Sequence, residues 1–142
     1  MKKRAKENLI AKSIRPSQQR VAILGYLLKN KTHPCAEEIY EALLPEMPTL
    51  SKTTVYNTLH RLAGQCVISM LDIDPANKRF DGTTAPHGHF ICTGCGSIED
   101  VMVDDILFAE KYIPAGALVS DFQLYYKGLC GACRKREDAA AK

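Results

Sequence analysis

The chain has 142 residues, of which 46% are hydrophobic and 25% charged, a composition typical of a globular protein and unlike that of a disordered chain. No apolar run approaches the roughly 18 residues of a membrane span, and no signal-peptide core follows the basic start, so we expect a cytoplasmic protein without a membrane partner. Residues 1–80 carry 13 Lys and Arg against 7 Asp and Glu, whereas residues 81–142 carry 6 against 9. This asymmetry indicates that only the first half meets a polyanion.

Three helices followed by a hairpin are predicted in the first half of the chain. Ser17 and Ser51 are suitable N-caps, and Gly64 marks the end of the third helix. Helix, helix, helix and hairpin in this order describe a winged helix-turn-helix. The predicted helices cover residues 17–29, 36–44 and 51–64. The predicted hairpin has one strand at 67–73 and a return strand that starts at 78–80.

The second half is predicted to form a smaller α/β domain. Its open sheet edge would suit dimer formation, and the last residues, from Glu137, are expected to be frayed. The predicted fold class is therefore α+β, with a winged-helix domain at 1–80, a hinge at 81–88 and a dimerisation domain at 89–142. Within the last domain we expect strands at 89–92, 97–103 and 117–126 and a short helix at 104–112.

Four of the six cysteines form two Cys-x-x-Cys pairs, Cys92/Cys95 and Cys130/Cys133. Each pair lies in a turn of small residues, which lets both thiolates face one ion, and two such turns supply the four sulfurs that structural zinc prefers. A thioredoxin-like dithiol is the competing interpretation, but it needs one motif beside a βαβ unit, which this sequence does not suggest. Cys35 and Cys66 are expected to be small buried hydrophobic residues.

The third predicted helix presents polar and aromatic side chains outward. A phenol, an amide, hydroxyls and cations can reach base edges and phosphates in a major groove. A solvated polar face is the alternative, but the position of this helix before a basic hairpin favours DNA binding. The outward residues are Lys52, Thr53, Tyr56, Asn57, His60 and Arg61.

A second metal site can be assembled near the predicted domain boundary. His87 and His89 share a face if that stretch is extended, Asp81 and Asp100 are close in sequence, and His33 could fold back to the hinge. Imidazoles and carboxylates without sulfur suit Fe²⁺, Mn²⁺ or Zn²⁺. Any one histidine alone would more often be an ordinary surface or core residue. The cluster as a whole predicts a labile metal site.

Two other classes of function compete with DNA binding as interpretations of this sequence. A zinc hydrolase or deaminase needs an open zinc position beside a glutamate base, and no His-Glu-x-x-His or His-x-Glu motif occurs, so we expect no enzyme. A zinc-stabilised protein-interaction module would explain the cysteines but not the helix-turn-helix or the basic half. Steep salt dependence of duplex binding would distinguish a DNA-binding protein from such a module.

Together these motifs resemble the ferric uptake regulator family over nearly the whole chain. The matching stretches are residues 15–20 (Arg-Pro-Ser-Gln-Gln-Arg), 33–40 (His-Pro-Cys-Ala-Glu-Glu-Ile-Tyr) and 51–59, and the paired cysteine turns. The resemblance implies a dimeric, metal-dependent repressor that binds a palindromic DNA operator. It implies one structural Zn²⁺ per subunit, a regulatory Fe²⁺ or Mn²⁺, and contacts of Arg15 with the minor groove and of Tyr56 and Asn57 with bases.

Within the family, the regulatory metal ligands would be His33, Asp81, His87, His89 and Asp100. Aspartate at both carboxylate positions and Asn57 in place of arginine resemble the peroxide-sensing branch, and the alternatives are an iron-responsive or a zinc-responsive repressor. The family's auxiliary third site is expected to be absent, because Phe122 and Gly88 stand where ligands would be needed.

On this resemblance, metal bound across the hinge would favour the conformation that holds two recognition helices in successive major grooves. Peroxide reacting with bound Fe²⁺ would oxidise His33 or His87 and end the repression of peroxide-defence genes. Mn²⁺ would support DNA binding without this chemistry.

Overall fold

The computed structural model describes residues 1–103 and 113–141. The chain forms two compact units, Met1–Thr84 and Ala85–Lys142, called here the N-terminal and C-terminal units. The N-terminal unit contains four helices and a hairpin, and the C-terminal unit contains a three-stranded sheet and a helix. The predicted α+β class and the winged helix-turn-helix are confirmed. No described helix is both long and apolar enough to cross a membrane.

The first helix, α1 (Lys2–Ala11), is absent from the sequence-based prediction. Its sequence is mostly charged, and it contributes only Ala5 and Leu9 to the core, each fully buried. These two residues are four apart, which places them on one face of the helix. With so narrow an apolar stripe, the helix depends on its packing against the next helix, a contact that periodicity cannot reveal.

The three predicted helices are confirmed, with small shifts at their ends. They are α2 (Gln18–Lys29), α3 (Ala36–Leu43) and α4 (Lys52–Gly64). Ser17 and Ser51 are the N-caps of α2 and α4, and each hydroxyl accepts a hydrogen bond from the backbone N–H three residues later. The four helices α1, α2, α3 and α4 share one apolar core. Its largest buried side chains include Leu24, Ile39, Leu59 and Phe80.

The hairpin after α4 is the wing, and its first strand is shorter than predicted. The expectation that Cys66 is buried is wrong, because this residue lies exposed in the turn between α4 and the wing. Its strands β1 (Ser69–Leu71) and β2 (Arg79–Asp81) pair antiparallel, with Ser69 opposite Asp81. The backbone N–H of Phe80 also donates to the carbonyl of Pro34 at 3.0 Å, which fixes β2 to the segment before α3. As a result, Asp81 lies at the end of a strand that is held by β1 on one side and by the segment before α3 on the other.

The sheet of the C-terminal unit has the strand order β4, β3, β5. The central strand β3 (Gly88–Cys92) pairs antiparallel with β4 (Ile98–Val101) and parallel with β5 (Tyr125–Gly128). The first cysteine turn therefore joins β3 to β4, and the second follows β5 directly. Both turns lie at the same end of the sheet, because parallel strands end on the same side.

Two predictions for the C-terminal unit are wrong, and one falls outside the described residues. The strand predicted at 117–126 forms only from Tyr125, where the pairing with β3 begins, and Leu118 and Phe122 are exposed. The tail expected to fray from Glu137 belongs to a helix, α5 (Gly131–Ala140), which buries Cys133. The helix predicted at 104–112 lies outside the described residues.

Candidate metal centres and nucleic-acid interface

The four paired cysteines converge in the C-terminal unit. Each offers a sulfur, and the four lie within 4.8 Å of one another. The sulfurs of Cys95 and Cys130 are 3.9 Å apart, close to the roughly 3.8 Å separation expected around a tetrahedral ion with 2.3 Å bonds to sulfur. The donor set and its spacing therefore fit structural zinc.

The protein environment already favours thiolate at part of this cluster. The backbone N–H of Cys130 donates to Sγ of Cys92 at 3.2 Å, and with a second N–H from Cys95 it lowers the pKa of Cys92 to about 6. A hydrogen bond with Ser97 lowers the pKa of Cys95. Burial raises the pKa of Cys133 to about 11. Cys133 must therefore lose a proton when a metal binds.

Gly94, between the first two cysteines, is required by close packing. A Cβ added there would lie 3.1 Å from Sγ of Cys133 and 3.2 Å from its Cβ. Any side chain at this position would push the two turns apart. The glycine thus allows the sulfurs of separate turns to reach one ion.

Two of the five predicted regulatory ligands pair within the N-terminal unit. Nε2 of His33 lies 3.8 Å from Oδ2 of Asp81, and the two residues are only 2% and 4% exposed. The other oxygen of Asp81 accepts the backbone N–H of Thr83 at 2.8 Å, which orients Oδ2. His33 has φ of +50°, a conformation uncommon for a residue with a Cβ and typical of functional positions.

An ion-pair network fixes the strand that carries Asp81. The guanidinium of Arg79 donates to Glu38 on α3 and to Asp74 in the hairpin turn, each at 2.9 Å. Glu38 also accepts the backbone N–H of Cys35 at 2.7 Å. Because the Arg79 side chain is only 19% exposed, the network is partly shielded from water. Sequence reasoning missed this role of Arg79, since the network depends on partners distant in sequence.

The other three predicted ligands group within the C-terminal unit. His89 on β3 lies directly opposite Asp100 on β4, and Nε2 of His87 and of His89 lie 3.4 and 3.8 Å from Oδ1 of Asp100. Nδ1 of His87 donates to the carbonyl of Ala85 at 2.7 Å, because a carbonyl can only accept. This hydrogen bond leaves Nε2 of His87 to act as a metal ligand. The ring centroids of the two histidines are 4.5 Å apart.

Both sets fit a hard or borderline divalent cation, since each combines imidazole nitrogen with a carboxylate. The set in the N-terminal unit is buried, and the one in the C-terminal unit is partly open at Asp100. A buried imidazole–carboxylate pair without a cation would require a proton or a strong hydrogen bond to balance the charge. A bound cation satisfies both groups at once.

Most of the predicted DNA-contacting residues lie on the exposed surface of the N-terminal unit. Tyr56 is 52% exposed and therefore available to a ligand. Lys52 is already engaged, because its ammonium pairs with Glu37 on α3 and lies 5.5 Å from the ring centroid of Tyr40. The Glu37 hydrogen bond also raises the pKa of Lys52. The predicted residues exposed on this surface are Arg15, Lys52, Thr53, Tyr56, Asn57 and Arg61.

An open groove runs between the start of α2 and the face of α4. Asn57 and Arg61 line it from α4, and Ser17 and Arg20 line it from α2. Arg20 also donates to the backbone carbonyl of Arg15 at 2.8 Å, which orders the segment before α2. Two cations and several neutral polar groups suit a phosphate backbone. Arg20 was missed as a site residue, although its position in the first turn of α2 was a signal.

His60 departs from the predicted outward position. Its ring is half-buried, with its centroid 4.2 Å from that of Tyr56 and 6.2 Å from that of Phe80. The His60 ring thus points toward Phe80 in the wing. The periodicity of α4 alone does not predict this direction.

Comparison with known proteins bears on these sites. Residues 11–127 match the model of the ferric uptake regulator family. The peroxide operon regulator of Bacillus subtilis (strain 168) is 36% identical over 139 residues, which are 96% of this chain and 95% of that protein.

Solved structures of related regulators are also similar to this chain. The peroxide-sensing regulator PerR from Streptococcus pyogenes is 31% identical, with a TM-score of 0.52 over 93% of this chain and 92% of that one. A ferric uptake regulator from Francisella tularensis, solved with iron, is 27% identical, with a TM-score of 0.70 over 85% of this chain and 95% of that one.

Proposed function

Because the chain belongs to the ferric uptake regulator family, we propose that it is a dimeric, metal-dependent repressor that binds a palindromic DNA operator and senses hydrogen peroxide. It acts as a transcriptional regulator in the cytoplasm and not as an enzyme. The observation that carries this proposal is the pair of His/Asp sets, one in each unit, with Asp81 and His87 inside the proposed hinge at residues 81–88.

One divalent cation is proposed to take ligands from both sets. His33 and Asp81 would provide the ligands of the DNA-binding unit, and His87, His89 and Asp100 those of the dimerisation unit. Hydrogen bonds already orient Asp81 and His87, so little ordering is needed when the cation binds. Binding would stabilise the arrangement that grips DNA, and a typical coupling of this kind changes affinity about 5- to 150-fold.

Peroxide sensing is supported by the relatives named as peroxide regulators and by aspartate at both carboxylate positions. When bound, Fe²⁺ supplies the electrons that convert peroxide into an oxidant of a neighbouring histidine. The resemblance to the peroxide-sensing branch makes His33 and His87 the proposed targets. An oxidised ring would coordinate poorly, and the protein would release its operator.

The DNA-binding surface is proposed to combine the predicted residues with the groove at α2. Tyr56 and Asn57 would contact bases, whereas Arg15, Arg61 and Arg20 would contact phosphates or the minor groove. The basic character of residues 1–80 supports this assignment. Lys52 would first have to exchange Glu37 for a phosphate, and Thr53 would lie beside it.

The experiment begins with a duplex selected from a random-sequence pool by the Mn²⁺-loaded wild-type protein. The protein is then loaded with Fe²⁺ or Mn²⁺ without air and treated with equimolar hydrogen peroxide. We expect the Fe²⁺ form to lose duplex affinity and gain an oxygen on a His33 or His87 peptide by mass spectrometry. The Mn²⁺ form should keep its affinity and its mass. Unchanged affinity and mass in the Fe²⁺ form would reject peroxide sensing.

A matched pair of wing variants tests the metal site itself. Asp81→Asn should abolish the dependence of duplex affinity on Mn²⁺, because it removes a buried carboxylate ligand. Asp72→Asn removes the same charge from an exposed position on the hairpin and should leave that dependence intact. Equal responses of the two variants would contradict the ligand assignment.

An iron-responsive repressor is the second candidate. It is supported by the similarity to a ferric uptake regulator solved with iron. In that case Fe²⁺ and Mn²⁺ would both support duplex binding, and equimolar peroxide would leave the histidines unmodified. The peroxide titration above therefore separates the two candidates.

A further inference from the structure

Three rings form a contiguous line inside the N-terminal unit. The line starts at Tyr56, which is half exposed on the proposed base-contacting face of α4. The ring of His60, one turn later on α4, lies 4.2 Å from it between centroids at an interplanar angle of 40°. On its other side, His60 meets the ring of Phe80 edge-on, 6.2 Å away at 75°.

Phe80 links this line to one of the His/Asp sets. Its side chain is 1% exposed, and it directly precedes Asp81 in β2. Its backbone N–H donates to the carbonyl of Pro34, the residue that follows His33. Phe80 is therefore next in sequence to one proposed ligand and hydrogen-bonded to the neighbour of the other. These two connections give a route by which the position of either ligand can act on Phe80.

A contribution to folding stability does not explain why residue 60 is a histidine. Its Nε2 is buried and makes no hydrogen bond to any residue that the structure describes. A buried nitrogen without a partner is unfavourable compared with an apolar ring of the same shape. The ring orientation is therefore set largely by its contacts with Tyr56 and Phe80. Such contacts between rings stabilise their geometry beyond what burial alone contributes.

We propose that His60 is a positioning residue that holds the Tyr56 ring for base contact and couples it, through Phe80, to metal occupancy at His33 and Asp81. This inference rests on the proposed function and deepens it, because it names the route by which metal changes base recognition. His60 itself contacts neither metal nor bases. Its effect should appear in sequence discrimination and in the metal dependence of binding, not in the metal affinity of the DNA-free protein.

The test compares full-length wild-type protein with His60→Ala and His60→Phe, all with zinc bound. Affinity is measured by fluorescence anisotropy for the selected duplex and for a base-shuffled duplex, each with saturating Mn²⁺ and with Mn²⁺ removed. We expect His60→Ala to lower the selected-over-shuffled ratio in Mn²⁺ about 3- to 10-fold, as for loss of one aromatic pair. The Mn²⁺ effect on selected-duplex affinity should shrink similarly. His60→Phe, which keeps a ring between Tyr56 and Phe80, should restore both.

A double-mutant cycle with Tyr56→Ala shows whether His60 acts through Tyr56. In the Tyr56→Ala background, His60→Ala should cause no further loss of discrimination, because the ring that it positions is gone. Equal further loss in both backgrounds would overturn the proposal. Mn²⁺ affinity of the DNA-free protein should be the same in all variants.

The outcomes separate this inference from the proposed function. If the wild-type protein shows no Mn²⁺-dependent duplex binding, the proposed function fails and this inference fails with it. If the wild type binds but His60→Ala weakens both duplexes equally and leaves the Mn²⁺ effect unchanged, His60 is only a packing residue. Thermal unfolding controls for folding, and His60→Phe should be at least as stable as the wild type because it removes a buried polar nitrogen.

Discussion

Seventeen apolar side chains are buried in Met1–Thr84. In the described part of Ala85–Lys142, the only buried apolar side chains are those of Cys92 and Cys133. The first unit is stabilised by a continuous core between helices. The second has a three-stranded sheet with little apolar burial and a cluster of four sulfurs at one end. A small unit with a limited core needs a crosslink such as a metal ion. In the C-terminal unit, zinc therefore takes the place of a large apolar core.

The largest expected effect is the loss of zinc. Cys95→Ser removes an exposed ligand, and the remaining sulfurs cannot complete a tetrahedral site. Structural zinc contributes on the order of 10 kcal/mol to the folding of small domains. The strands of the C-terminal unit should therefore lose hydrogen-exchange protection while α2 and α4 keep theirs. Cys66→Ser, at an exposed cysteine outside the cluster, is the control and should retain full zinc content and protection.

Shortening a core side chain of the N-terminal unit should destabilise that unit and leave the zinc site of the C-terminal unit intact. Leu59→Ala, at a fully buried position on α4, should lower the free energy of unfolding of the N-terminal unit by about 2–5 kcal/mol. Zinc content, measured by elemental analysis of folded protein, should not change. Leu118→Ala provides the comparison, because Leu118 is 96% exposed and its loss should matter by less than about 0.5 kcal/mol. Zinc loss in Leu59→Ala would mean that the units are not stabilised separately.

A smaller effect is expected where α4 turns into the wing. Cys66 has φ of +52°, in the left-handed region that disfavours a residue with a Cβ. Cys66→Gly should raise the free energy of unfolding by up to about 1 kcal/mol, after the greater freedom of glycine in the unfolded chain is deducted. Cys66→Ala keeps the strain and should bring no gain in denaturant unfolding. A gain in both variants would point to the thiol instead of the backbone.

The smallest stability effect concerns the surface pair of Lys52 and Glu37. Glu37→Gln should leave the free energy of unfolding nearly unchanged, because exposed ion pairs contribute little. It should nevertheless tighten duplex binding and make its salt dependence steeper by up to about one counterion, since Lys52 becomes available to a phosphate. Glu7→Gln, which removes an exposed charge on α1, is the matched control. Equal salt slopes in the two variants would exclude a phosphate contact by Lys52.

The same contrast explains which elements could be predicted. Periodicity and caps located α2, α3 and α4, because each buries a wide apolar stripe and α2 and α4 begin at a serine cap. By contrast, α1 and α5 are polar helices that bury two residues and one residue, respectively. Apolar content at 117–124 wrongly suggested a strand, since a strand also needs a pairing partner, and the pairing with β3 begins only at Tyr125.

The sequence predicted which residues are candidate metal ligands better than it predicted how they are arranged in space. The two Cys-x-x-Cys turns identify the zinc site from spacing alone, since each turn fixes its own two sulfurs. The pairing of His89 with Asp100 depends on strand register, which spacing does not give. The Arg79 network and the inward turn of His60 depend on neighbours from other elements.

By itself, the sequence determined the helix-turn-helix, the cysteine zinc site and the residue types available to a second metal, because these depend on local periodicity and fixed spacing. Only the tertiary structure decided that Asp81 faces His33, that Lys52 is paired with Glu37 and that His60 lies between Tyr56 and Phe80. Such contacts join segments that are distant along the chain, and they form only when the apolar core and the strand pairing bring those segments together.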